Sequence, residues 1–414
     1  AMPVAGKDAC TMTSGLPFDD FRALVASLPA PRNIAKISER FDAFRGLHGN
    51  GGDLEKLALW AAGWNANEPV LFVRPLVAVF AGTNALGGGQ NSAANSQTQA
   101  MAAAATDGHA AVNALCAQRE LGLKVIIQVY GESAPDWVGK EFSDGLFEAQ
   151  NGDKIKPQVA PGYCIDHSGI RELFTNFYKE AAKIAVQYSS FYGWDLWSEP
   201  LMVQWGWPAW IPDAQYCFCP HTQERFRQWL RTRYNSLADL NRTWYRNFEK
   251  WEDVEAPRFG TILTYSDFMD WKNFIYQKMA EDLRLRYDAV RTFDKDHVAT
   301  AHASPVSLFS SPYGSGAEDD FLMAAQVDYY GLSQYPKHNL PGDWVPWRFM
   351  AAADFSYSAN RKNGGYYVGE FQAGFGTVGL NISDPVTPED HRIWALSSLA
   401  TGAKGIFAYA YYPM

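Results

Sequence analysis

Three observations in this 414-residue chain predict an α/β fold of the (β/α)8 barrel type. Short apolar runs alternate with helical stretches from residue 122 onward, the rhythm of a parallel sheet. One earlier run, residues 76–81, is continuously apolar and looks like a buried strand. Two of the later runs end in a glutamate, and barrels carry their chemistry at the C-terminal ends of strands.

The elements follow in order. Residues 18–28 read as a short helix stopped by Pro29 and Pro31. Residues 53–64 place Leu54, Leu57, Ala58, Trp60 and Ala61 at helical spacing and read as a second helix. Leu76-Val77-Ala78-Val79-Phe80-Ala81 reads as a buried strand, the Gly-, Asn- and Ser-rich stretch 82–96 as a loop, and the Ala-rich stretch 97–121 as a helix. Strands are then predicted over 124–130, 191–197, 297–302, 327–333, 366–370 and 405–410. Helices are predicted over 168–188, with Ser168 as N-cap, and over 222–234, 265–291, 347–360 and 388–401. Six strands after residue 120 are two short of a closed barrel, so a divergent or foreign N-terminal segment must supply the first β/α units. The domain reading is therefore a mostly helical segment, 1–121, with one βα unit. The barrel's strands three to eight follow over 122–414, with an insertion at about 204–263.

Composition narrows the function. An aromatic share of 15% suits either a large core or a cleft of flat rings that stack on sugars. A net charge of −9 without a basic run disfavours nucleic acid as a partner. No apolar stretch is long enough to cross a membrane. Residues 1–15 lack a basic region followed by an apolar run, and 5 scattered Cys fit a reducing compartment, so a cytoplasmic protein is expected. A homo-oligomer stays open. The 82–96 loop lacks the Lys-Ser/Thr of a phosphate-binding loop.

Glu199 ends Gly193-Trp194-Asp195-Leu196-Trp197-Ser198-Glu199-Pro200, and Glu370 ends Tyr366-Tyr367-Val368-Gly369-Glu370. A carboxylate at a buried strand end is costly unless paired or functional. Either alone reads as a salt-bridged or capping glutamate. Two on one barrel point to retaining glycoside hydrolysis, which needs carboxyls about 5–5.5 Å apart.

From about residue 121 to 414 the chain resembles glycoside hydrolase family 42, a β-galactosidase-like family of retaining (β/α)8 hydrolases. The stretches that carry the resemblance are Trp194–Pro200, Val368–Gln372 and Asp328–Pro336. The most specific is Cys217-Phe218-Cys219-Pro220-His221-Thr222, followed by Phe226-Arg227-Gln228-Trp229-Leu230 and Leu240-Asn241-Arg242-Thr243-Trp244. The resemblance implies Glu199 as acid/base, Glu370 as nucleophile and Tyr335 as donor to the nucleophile. It implies a carbohydrate substrate and no cofactor for the chemistry. Trp344 and Trp347 read either as a stacking wall or as barrel packing. Ser198 stands where the family usually has the Asn that holds a sugar hydroxyl. The family's four-Cys metal site finds Cys164, Cys217 and Cys219, but Thr222 replaces the last. The adjacent His221 is then a candidate fourth ligand to a structural zinc. In relatives, further sugar-binding residues follow the strand that here ends near Met414.

Residues 14–124 resemble instead the start of nicotinate-nucleotide–dimethylbenzimidazole phosphoribosyltransferase. The stretches are Asp53–Trp60, Arg74–Gly82 and Ala110–Cys116. The substrate motifs of that family are eroded to Gly46-Leu47-His48-Gly49-Asn50-Gly51-Gly52 and Thr83-Asn84-Ala85, so no transferase chemistry is expected. Against the retaining hydrolase stands a catalytically impaired chimeric or truncated barrel that binds carbohydrate or serves as a scaffold.

Overall fold

The computed structural model describes residues 76–82, 124–132, 134–156, 162–200, 216–258, 264–303, 306–309, 318–337, 345–373, 377–378, 381–382 and 384–409. The elements expected over 18–28, 53–64, 82–96 and 97–121 lie outside these residues. By compactness the chain divides into Ala1–Val73 and Arg74–Met414, and the described residues belong to the second unit.

That unit opens with β1 (Leu76–Gly82) and β2 (Lys124–Tyr130), then α1 (Asp136–Glu141) and a hairpin of β3 (Phe147–Glu148) and β4 (Lys154–Ile155). It continues with α2 (Ser168–Ala185), β5 (Phe191–Ser198), α3 (Pro220–Arg233), α4 (Leu237–Trp244), α5 (Ser266–Arg291) and β6 (Val298–Ala303). Next come α6 (Asp320–Ala324), β7 (Tyr329–Gln334), α7 (Pro346–Ala359) and β8 (Tyr366–Gln372). A small hairpin of β9 (Thr377–Val378) and β10 (Asn381–Ile382), α8 (Pro388–Ala400) and β11 (Ala403–Tyr409) complete it.

Seven strands form one parallel sheet in the order β1-β2-β5-β6-β7-β8-β11. The edge strands β1 and β11 approach one another, which curls the sheet toward a barrel. Residues 125–129 and 193–198 are buried without alternation, because helices cover one face and the curled interior the other. The six strands predicted after residue 120 are all present, and the predicted segment 76–81 is β1. Several boundaries shift by a residue or two, and the N-cap of α2 is His167, not Ser168. Its Nδ1 accepts from the Gly169 and Ile170 N–H groups at 3.1 and 3.3 Å.

The insertion after β5 packs through rings. Phe226 of α3 lies 5.1 Å from both Trp271 and Phe274 of α5, and Trp244 of α4 donates to Asp270 at 2.8 Å. The same long helix buries charge in pairs. Lys278 bridges Asp282 and Asp166, and Arg225 reaches Asp282 at 3.0 Å. Buried ions persist only when matched in this way.

Register irregularities interrupt several strand pairings, and two of them bear on candidate site residues. One interrupts the β5–β6 pairing between Asp195 and Ser198, the other the β7–β8 pairing between Leu332 and Ser333. Bulges re-aim side chains, and they concentrate beside active sites.

Candidate active site

The strand ends converge on Glu370. It lies near the end of β8 and is 7% exposed. Tyr335, just past β7, donates its hydroxyl to Oε2 at 2.5 Å. Ser198, the last residue of β5, donates to Oε1 at 3.2 Å. His302 on β6 brings its Nε2 to 3.8 Å from the same oxygen. Burial pushes the Glu370 carboxyl up, but His302, Tyr335 and Ser198 outweigh it and hold the group below the usual carboxylate value. Glu370 is therefore an ionised, oriented carboxylate at neutral pH.

Glu199 follows β5 directly and is half-buried. Its N–H donates to the His302 carbonyl at 2.9 Å. Its φ of 48° is in the left-handed region, a conformation that non-glycine residues adopt at a cost and that clusters at functional sites. The two carboxylates act on the same phenols. Burial raises Tyr335, and Glu370 and Glu199 raise it further; Tyr409, at the end of β11, responds likewise.

Ser198, Tyr335 and Glu370 are thus brought together, with Glu199 in the same electrostatic neighbourhood. Trp347, in the first turn of α7, is 66% exposed, and no described contact joins it to either glutamate. Trp344 lies outside the described residues. Sequence reasoning missed His302 and Asp195. An ionisable residue inside each of two apolar strands was the available signal.

The thiols of Cys164, Cys217 and Cys219 are buried together. Sulfurs bound to zinc at about 2.3 Å stand about 3.8 Å apart in a tetrahedron, and Cys164 and Cys219 Sγ are 3.6 Å apart. Thr222 Oγ1 lies 3.3 Å from Cys164 Sγ and 3.4 Å from Cys219 Sγ. Its hydroxyl donates to Asp166 at 2.7 Å. Three soft donors suited to a structural ion are gathered there, with this neutral hydroxyl beside two of them. His221 is not part of that group. Successive helical residues diverge by about 100°, so with Thr222 turned to the thiols His221 turns away. Its Nε2 lies 3.0 Å from Asp144 Oδ2, beside His167, whose own Nε2 is 3.3 Å from Asp144 Oδ1. His167 Nδ1 accepts two backbone N–H groups, which leaves its proton on Nε2. Asp144, His167 and His221 thus form a second polar group, separate from the thiols.

The family model for glycoside hydrolase family 42, described as beta-galactosidase, matches residues 112–413. The chain belongs to that family. A second family model, described as phosphoribosyltransferase, matches residues 29–139. Among curated relatives, the beta-galactosidase LacZ of Heyndrickxia coagulans is 22% identical over 306 residues, 70% of this chain and 41% of the relative. The nicotinate-nucleotide–dimethylbenzimidazole phosphoribosyltransferase of Agrobacterium fabrum is 42% identical over 115 residues, 27% of this chain and 33% of the relative. The chain thus spans less than half the length of either. Among solved structures, the beta-galactosidase of Bacillus circulans sp. alkalophilus superposes with a TM-score of 0.60 at 17% identity, covering 81% of this chain and 46% of that one. The beta-galactosidase of a Rahnella species gives 0.61 at 18% identity, covering 80% and 45%. These likenesses establish the barrel fold of the family.

Proposed function

We propose that this family 42 chain hydrolyses terminal β-linked sugars, of the β-galactoside class, with retention of configuration. The observation that carries the reading is the Glu370 carboxylate, buried, ionised and held at both oxygens. An ionised carboxylate fixed in this way can attack an anomeric carbon. Glu199 protonates the leaving oxygen. In the second step it takes a proton from the water that cleaves the glycosyl–Glu370 ester. Tyr335 keeps the attacking carboxylate oriented while charge moves off it. Ser198 has its hydroxyl proton on Glu370, so it has less to offer a sugar hydroxyl than an amide would. A structural zinc on Cys164, Cys217 and Cys219 with Thr222 at the fourth corner would tie the start of α3 to the loop before α2, away from the chemistry. The eroded N-terminal motifs support no transferase step.

The test is trapping with a 2-fluoro β-galactosyl inactivator, followed by peptide mapping. Label on Glu370, and loss of nitrophenyl β-galactoside turnover in Glu370→Gln, are expected. A folded protein that binds galactose without turnover or labelling would favour the carbohydrate-binding reading instead.

A further inference from the structure

We propose that Asp195 and His302 are positioning residues for Glu370, joined to it through Ser198 as one buried chain of donors. The inference rests on the reading of Glu370 as the nucleophile.

The direction of the chain follows from counting protons. A serine hydroxyl has one, and that of Ser198 points to Glu370 Oε1 at 3.2 Å. Ser198 Oγ is also 3.1 Å from His302 Nε2, so it must accept there and Nε2 must carry hydrogen. The other ring nitrogen, Nδ1, is 3.1 Å from Asp195 Oδ2. The contact is an ion pair without an aligned hydrogen bond, and a bare lone pair facing a carboxylate would be repelled, so Nδ1 is protonated too. His302 is therefore an imidazolium, 1% exposed, between two carboxylates. Asp195 is held in turn by Gln128 Nε2 at 2.5 Å.

The groups facing His302 come from every neighbouring strand. Asp195 and Ser198 come from β5, with Gln128 of β2 behind Asp195. Glu370 comes from β8, and the Tyr330 phenol of β7 feels the Asp195 charge. Room for the ring is made by Gly369: a Cβ there would stand 2.1 Å from Nδ1. Burial lowers the imidazole, but Asp195 and Glu370 outweigh it and lift the group to about 10. Two buried carboxyl groups would otherwise repel; the cation between them offsets that repulsion. The arrangement fixes one Glu370 oxygen by charge while Tyr335 fixes the other.

The deciding experiment is NMR titration of the full chain labelled at histidine, with His302 assigned by difference against His302→Gln. The expected result is an imidazolium at His302 that persists through about pH 9 and titrates at least about one unit lower in Asp195→Asn. In turnover of nitrophenyl β-galactoside, the acid limb of kcat/KM should rise by about one unit in His302→Gln, whereas Asp195→Asn, whose His302 is still a cation at acid pH, should not raise it. A neutral His302 at pH 7 in the folded protein overturns the inference. So does a rate loss in His302→Gln that is equal at all pH values with an unmoved acid limb. If the parent chain does not turn over substrate, the proposed function fails separately, and the NMR titration alone decides the dyad.

Discussion

Replacing Tyr335 by Phe removes one donor from Glu370 and leaves the ring. The bond is 2.5 Å long, its acceptor is an ionised carboxylate 7% exposed, and hydrogen bonds to charged groups contribute about 1.5–3 kcal/mol. At about 1.4 kcal/mol per pKa unit, losing it should raise the Glu370 carboxyl by about one to two units. The sign is fixed by the folded state. Glu370 is held below its ordinary value, so its ionised form is favoured by folding above that value. The advantage is lost as pH falls through the lowered one. Tyr335→Phe moves that loss to higher pH. The assay is kcat/KM for nitrophenyl β-galactoside from pH 4 to 9, with thermal melts to confirm folding. The expected outcome is an acid limb displaced upward by about one to two units, with kcat reduced on the order of 10- to 100-fold at neutral pH. An unmoved limb with a uniformly lower rate would mean that the phenol serves packing or substrate contact instead, and would refute the argument.

Three further outcomes are expected. Thr222→Cys should complete a four-thiolate set and raise zinc retained through gel filtration, measured by metal analysis; equal zinc in both proteins would count against Thr222 as the fourth corner. Lys278→Met should cost about 1–3 kcal/mol, because Asp166 and Asp282 keep their burial and lose one of the cations they share with Arg225; denaturant midpoints would report it, and a change under about 0.5 kcal/mol would sink the claim. Gly369→Ala should destabilise by about 1–3 kcal/mol and disturb His302 before Glu370, seen as a shifted His302 ring signal with the sheet intact by circular dichroism.

Much of the sheet was legible because parallel strands leave a blunt signal. Val125 to Val129 is one unbroken buried run, and β2 spans 124–130 as read from it. Glu199 and Glu370 were legible as carboxylates that break such runs. The contacts that give them meaning were not. Whether Ser198 meets His302 depends on the β5–β6 register, which local residues do not encode. The β3–β4 hairpin escaped because its strands are two residues long, although Asn151-Gly152, with Gly152 at φ 91°, is a turn signal. His221 misled by adjacency: next to Thr222 in the chain, it stands on another face of α3. His167 took the cap of α2 from Ser168 because an imidazole nitrogen can serve two N–H groups at once.

The interruption between Asp195 and Ser198 has a consequence for how this strand can change. Those residues are three apart, an odd number, and in a regular strand odd neighbours point to opposite faces. Both nevertheless reach the same imidazole, one at each nitrogen. The irregular residues between them, Leu196 and Trp197, act as a parity switch. Any change that regularised the ladder at this length would turn either Asp195 or Ser198 out of the barrel, whereas only a one-residue deletion would restore even spacing. The segment from 195 to 199 can therefore be transplanted, recombined or redesigned only as a single unit.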